Sequence, residues 1–372
     1  MNLRKSYKQY CNENFIRFNL DHEQIWKYFE KEFGIERTER LSQIFEDRYE
    51  NPEKKISVYD FCENFKETSV LMFFQSDFFL ENSLKVIEFI ENTKPKNVLE
   101  LGSYNGILLN YLSNKNDEIN FTGIDIEEKI INFAKEKFVK NNLEFIPISY
   151  EKLSKHEKKY DAIFSIFGVE NIPSDIKYDK FDIRDNKNYF TKLDFFKEFF
   201  NNIKDVCQDK TTFLPLLRLP NLVTLLAFLD ASYENNWRLK GNEIEVIKSR
   251  NFHNEIENIP AFELEYKLEN TINNKIDIDH FLEITKNCRP KDDMRDVNLY
   301  MKNKDKFNET LKEDKIFYED DQNTLHYIIN KNLGNYMMFL WATNGFSNYE
   351  EYNNLKDLKN SFNELTNKSL EL

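Results

Sequence analysis

Residues 99–106 read LELGSYNG. An apolar strand-like start meets an acid, Glu100, then Gly102. Three small or turn-prone positions follow, Ser103, Tyr104 and Asn105, before a second glycine, Gly106. Gly102 lets the backbone turn sharply and approach a ligand, and Gly106 lets a helix start close to the strand. The next strand-like segment, INFTGIDI (119–126), carries Asp125 near its end. An acid about 20 residues beyond such a loop stands where a carboxylate takes a ribose diol. Its two oxygens accept from two hydroxyls at once. Strand, glycine turn, helix and acid therefore agree on a nucleotide site. The competing reading is a tight turn after a buried strand and an unrelated surface aspartate. The spacing is G-x-x-x-G, which is neither the dinucleotide pattern G-x-G-x-x-G nor the P-loop G-x-x-x-x-G-K-[ST].

These residues need a scaffold, and the surrounding sequence predicts one. From about residue 81 the chain alternates between two periods. SLKVIEFIENT (83–93) reads as helix and NVLELG (97–102) as a buried strand. ILLNYLS (107–113) is helix, and EEKIINFAKEKFVKN (127–141) is a helix opened by acids and closed by lysines, as the macrodipole favours. LEFIPI (143–148), YDAIFSIFGV (160–169) and TTFLPLLRL (211–219) read as strands, with helices at 195–206 and 221–236. WRLKGNEIEVIK (237–248) and AFELEYKL (261–268) close the series as two strands with no helix between them, so one of them runs antiparallel. The expected fold is α/β: a Rossmann-like, seven-stranded, mostly parallel sheet with one antiparallel strand, flanked by N-terminal and C-terminal helical additions. The expected domains are a helical cap or lid over 1–80, the core over 81–268, and a mostly helical C-terminal extension over 269–372. The aromatic segment VLMFFQSDFF (70–79) is either packing for that cap or the lining of a substrate pocket.

The order acid-x-glycine in LELGSYNG resembles the first motif of the class I S-adenosylmethionine-dependent methyltransferases. GIDIEEKIINFAKEK (123–137), LEFIPISYEKL (143–153) and YDAIFSIFGVENIP (160–173) resemble that family's next three motifs, in order and spacing. The resemblance implies S-adenosylmethionine as cofactor. It assigns Glu100 and the loop Gly102, Ser103, Tyr104, Gly106 to the methionine part. Asp125 would take the ribose, and Ile126 would pack on adenine. Ser149 stands where an acid often bonds the adenine amino group, and the Tyr150 N–H would reach the ring. Ser165 and Phe167 would border the methyl donor and the acceptor. Two positions depart from the family: Tyr104 replaces its commonest middle glycine, and Ser149 replaces the usual acid.

Composition narrows the partners. The net charge is -13, which argues against a nucleic-acid or anionic-membrane footprint. No [DN]-P-P-[YF] follows the fourth strand, so amino methylation of bases is not indicated. The most apolar stretch, 211–232, is interrupted by Pro215, Arg218 and Pro220 and does not read as a membrane span. Scattered Cys11, Cys62, Cys207 and Cys288 and a polar N-terminus suggest the cytoplasm. No aspartate suited to a divalent metal follows strands four and five, so a metal-free in-line transfer is expected, mainly by holding the reacting atoms in line. A hydroxyl nucleophile needs a base. His253 and His280 are the candidates, and the plainer reading of each is structural or solvated. The expectation is O-methylation of a small-molecule acceptor, with homo-oligomerisation left open. Alternatives are a protein or peptide methyltransferase, or a non-catalytic binding or scaffold subunit of the same fold.

Overall fold

The structure, a computed structural model, describes residues 2–51, 57–72, 76–169, 187–217, 222–241, 244–250, 256–268, 288, 313–318, 324–332, 335–342 and 347–369. The chain divides into two units. One holds residues 1–174, 193–218 and 228–288; the other holds 175–192, 219–227 and 289–372.

The first unit is built on a seven-stranded sheet. Its strands are β1 (Asn97–Leu101), β2 (Asn120–Asp125), β3 (Leu143–Pro147), β4 (Tyr160–Ile166), β5 (Cys207–Leu216), β6 (Trp237–Leu239) and β9 (Leu264–Tyr266), in the order β3-β2-β1-β4-β5-β9-β6. The first five run parallel, and β9 runs antiparallel to both β5 and β6. Most positions of β1, β2 and β4 are buried because helices cover both faces of a parallel sheet. Strand order reverses between β1 and β4, so the carboxyl end of β1 opens on a crevice. The segment 237–248, read as one strand, breaks at Gly241, whose φ is +73. Its second half, β7 (Glu245–Arg250), pairs with β8 (Ile256–Ala261) in a separate antiparallel ribbon.

The connecting helices are α6 (Ile107–Lys115), α7 (Glu128–Lys137), α8 (Lys187–Lys204) and α9 (Leu222–Glu234). On α7, Ile130, Ile131 and Ala134 are buried, Glu128 lies in the first turn and Lys135 and Lys137 in the last. The N-terminal elements belong to the same unit: α1 (Leu3–Glu13), α2 (His22–Phe33), α3 (Ile35–Glu50), a 3-10 turn at Val58–Phe61, α4 (Phe65–Leu71) and α5 (Ser76–Thr93). A capping box between Asp21 and Gln24 starts α2. Helices α1, α5 and α6 share one apolar core with the sheet, through Tyr7, Phe89, Leu108 and Phe121. Helices α2, α3 and α4 form a second core around Phe29, Leu41 and Val70, and Ile130 of α7 joins it. In the segment 70–79, Val70, Leu71 and Phe78 are buried, so these side chains pack the interior.

The C-terminal segment corrects an expectation. Residues 269–372, read as mostly helical, contain a four-stranded antiparallel sheet: β10 (Glu313–Tyr318), β11 (Thr324–Asn332), β12 (Asn335–Ala342) and β13 (Ser347–Tyr352). Helix α10 (Leu355–Ser369) follows and buries Leu358 and Phe362. The run NYMMFLWA is eight residues long, which suits a strand better than a helix, and its Asn- and Gly-rich borders are turn formers. Among the described residues no helix is long and apolar enough to cross a membrane.

Candidate functional site

The loop after β1 folds back over the end of β2. The N–H groups of Gly102 and Ser103 both donate to the Ile124 carbonyl at 2.9 Å. Gly102 has φ +77, and a Cβ on it would lie 3.0 Å from the Gly168 Cα. Gly168, just past β4, is tighter still: a Cβ there would meet the Leu101 carbonyl at 2.6 Å and the Gly102 Cα at 3.2 Å. Backbone therefore packs on backbone at the crevice between β1 and β4. Gly106 caps α6 in the left-handed region (φ +71), with the Phe145 ring occupying the space of its missing side chain.

Ser165 fixes the same junction. It is fully buried; its hydroxyl donates to the Leu101 carbonyl at 2.8 Å and accepts from the Gly168 N–H at 3.1 Å. Phe167 is buried, has φ +58 and meets Phe78 of α5 edge-on at 5.9 Å. Both residues thus hold the end of β4 in place.

Asp125 is engaged as well. Its Oδ2 accepts the Tyr104 N–H at 2.9 Å and its Oδ1 accepts the Glu127 N–H at 3.0 Å. Each carboxylate oxygen has a second lone pair for a ligand hydroxyl. Beside it Ile126 leaves 71% of its surface in solvent.

Glu100 is 3% exposed, and its Oε2 has no hydrogen-bond partner. Burial, with the Asp125 charge adding to it, pushes its carboxyl well above the usual range. The buried Ser103 hydroxyl is likewise unpartnered. Leaving such groups unsatisfied is costly. Two orphaned polar groups flanking a glycine turn are what a ligand carrying an ammonium and hydrogen-bonding groups would satisfy. The donor set therefore fits S-adenosylmethionine.

Tyr104 has φ +49, a conformation that explains why glycine suits this position. Its hydroxyl donates to the Thr68 carbonyl of α4 at 2.9 Å, and its ring lies 5.2 Å from Tyr59. Asn105, which sequence reading passed over, donates to the Thr68 and Ser69 hydroxyls at 3.1 and 3.2 Å. The loop is thereby tied to the N-terminal helices. Gly168 was also passed over; its signal was a glycine two residues beyond a strand end that must approach another glycine.

On the far side, Ser149 precedes the 3-10 turn Tyr150–Lys155 and its side chain makes no capping bond. The Tyr150 ring packs near Phe195 and Phe199 of α8, and burial pushes its hydroxyl up to about 12. His253 and His280 lie outside the described residues. His156 stacks on Tyr160, its Nε2 3.0 Å from the hydroxyl.

Residues 98–179 match the family profile described as "Methyltransferase domain". Protein 235L of Invertebrate iridescent virus 6, whose name assigns it as a methyltransferase, is 29% identical over 92 residues. That alignment covers 25% of this chain, which spans about a third (34%) of the viral protein's length. Among solved structures, human N-acetylserotonin methyltransferase in complex with SAM aligns at 12% identity and a TM-score of 0.40, over 65% of this chain and 70% of its own. An O-methyltransferase from a trans-AT PKS multienzyme of Brevibacillus brevis, with S-adenosyl-L-homocysteine, aligns at 11% identity and a TM-score of 0.37, over 50% and 72%. Overlaps this loose carry no information about substrate. The profile match runs through β1, β2, β3 and β4 of the sheet.

Proposed function

We propose that this chain, with its class I methyltransferase core, binds S-adenosylmethionine along the carboxyl ends of β1 and β2 and methylates a small-molecule acceptor on oxygen. The observation that carries the reading is Glu100: a buried carboxyl with one oxygen unpartnered, directly before the glycine turn. Its carboxylate form receives the ammonium of the methionine part, and the Ser103 hydroxyl supplies a further polar contact. Asp125 accepts from the ribose hydroxyls through the lone pairs left by its two backbone bonds. Ile126 covers a face of adenine, and Ser149 with the Tyr150 N–H borders its edge.

When bound, the cofactor would supply a methyl carbon on a sulfonium, which the acceptor takes in line as the C–S bond breaks and the sulfur leaves as a neutral thioether. The chain's part is positional. Gly102 and Gly168 let the β1 and β4 ends pack backbone on backbone, while Ser165 and Phe167 hold the β4 end rigid. For a hydroxyl acceptor, His253 and His280 remain the candidate bases, with a metal-free transfer expected. The acidic charge and the tight tie between the loop and the N-terminal helices support a small acceptor over a nucleic acid. Buried free thiols at Cys11, Cys62 and Cys207 are in keeping with a cytoplasmic setting.

Incubation with methyl-labelled cofactor tests the reading. Label should enter hydroxylated small molecules and stay out of acid-precipitable protein. Label in protein alone would favour a protein acceptor. Tight cofactor binding with no label transfer to any acceptor would favour a non-catalytic subunit.

A further inference from the structure

We propose that Tyr59, carried by the N-terminal helical layer, is a nucleoside-binding residue that closes the ribose end of the site around Asp125. The inference rests on the reading of residues 100–126 as an S-adenosylmethionine site and adds a residue from outside the sheet core.

Three observations converge on it. The turn Val58–Phe61 is fastened to the start of α7, just after the bend that presents Asp125 and Ile126. Lys129 Nζ donates to the Asp60 carbonyl at 2.9 Å. The Tyr59 ring lies 5.2 Å from the ring of Tyr104, whose own amide sits on Asp125 Oδ2. Finally, Tyr59 keeps 36% of its surface exposed. Burial, then the charges of Asp125 and Glu127, push its hydroxyl up to about 12.

A phenol held neutral beside a ribose-binding carboxylate both donates and accepts hydrogen bonds. Its partly open ring offers the surface on which a purine or sugar face packs. Nothing in the packing of the second core calls for this residue: Phe61 and Val58, on the same turn, are the buried members. Tyr59 and Asp60 are the exposed residues of that turn, and Tyr59 is the one with a ring.

Calorimetric titration of S-adenosylhomocysteine into the full chain, with adenosine as competitor, decides the matter. Tyr59→Ala should weaken S-adenosylhomocysteine by about tenfold and adenosine by a similar factor, the scale of one lost stacking contact. Tyr59→Phe should lose less, and ligand-free melting should stay unchanged in both variants. Wild-type affinity in Tyr59→Ala would overturn the proposal. So would a loss confined to S-adenosylhomocysteine with adenosine unaffected, or a loss accompanied by a fall in ligand-free melting, which would mark Tyr59 as support for Tyr104. If the wild type binds no S-adenosylhomocysteine, the cofactor reading itself fails and this proposal falls with it.

Discussion

The backbone N–H of Tyr104 donates to Asp125 Oδ2 at 2.9 Å, so the acid at the end of β2 holds the turn after β1 before any ligand arrives. With the Glu127 N–H on Oδ1, one carboxylate joins two loops. Asp125→Ala should therefore destabilise the ligand-free protein by about 2–3 kcal/mol in urea unfolding, since hydrogen bonds to a charged group are lost. An unrelated surface aspartate would change stability by no more than about 0.5 kcal/mol.

Glu100 should show a trade between stability and binding. Its folded-state pKa is raised, so folding takes up a proton. That penalty is absent below the unfolded value of about 4.3 and grows as pH rises toward the folded value. Glu100→Gln should thus match the wild type in acid and be more stable near neutrality, by about 1 kcal/mol or more. Cofactor binding draws on the charged form, so wild-type affinity should rise with pH and release a proton. Both effects should vanish in Glu100→Gln, as titrations in buffers of different ionisation enthalpy would reveal.

Gly168 tests the close approach of two backbones. A Cβ 2.6 Å from the Leu101 carbonyl must push β4 from β1 at the Ser165 bridge. Gly168→Ala should cost roughly 1–3 kcal/mol of stability, as overpacking does, and weaken cofactor binding with it. Wild-type melting temperature and affinity in this variant would show that the junction is soft.

The N-terminal layer carries its own pH signature. Glu67 of α4 forms paired bonds with Arg37 at 2.6 and 2.9 Å and accepts the Glu63 N–H at 2.8 Å. Burial by itself would raise the Glu67 carboxyl, but these bonds outweigh it and hold it below its usual value. Its contribution is full above the unfolded value and lost as pH falls through the folded one. Glu67→Gln should destabilise by about 1.5–3 kcal/mol at neutral pH, and the gap to wild type should close below about pH 4. A gap independent of pH would remove the charge from the explanation.

The core was legible because its signals are local and repeated. Apolar runs of strand length alternate with helical periods, and the order β1 to β5 follows from right-handed crossovers. The places of Asp125 at the end of β2 and of Gly106 at the start of α6 were legible because the strand and helix periods on either side are clear. Tyr104 was not. Its justification lies in Thr68 and Tyr59, tens of residues away, and no local pattern announces a carbonyl that will accept its hydroxyl. The bonds of the Ser165 hydroxyl to Leu101 and Gly168 were equally out of reach of any local pattern. In the C-terminal segment, Asn- and Lys-rich surroundings mask the alternation of β10 and β11, and β12 is apolar at nearly every position, which leaves no period to read.

Titration of S-adenosylhomocysteine into the wild type, Asp125→Asn and Asp125→Ala is the most direct test. The wild type should bind. Asp125→Ala should lose about 2–4 kcal/mol, the scale of two hydroxyl bonds to a charged group, with Asp125→Asn intermediate and still folded. No binding by the wild type, or equal binding by all three, would contradict a cofactor site between β1 and β2.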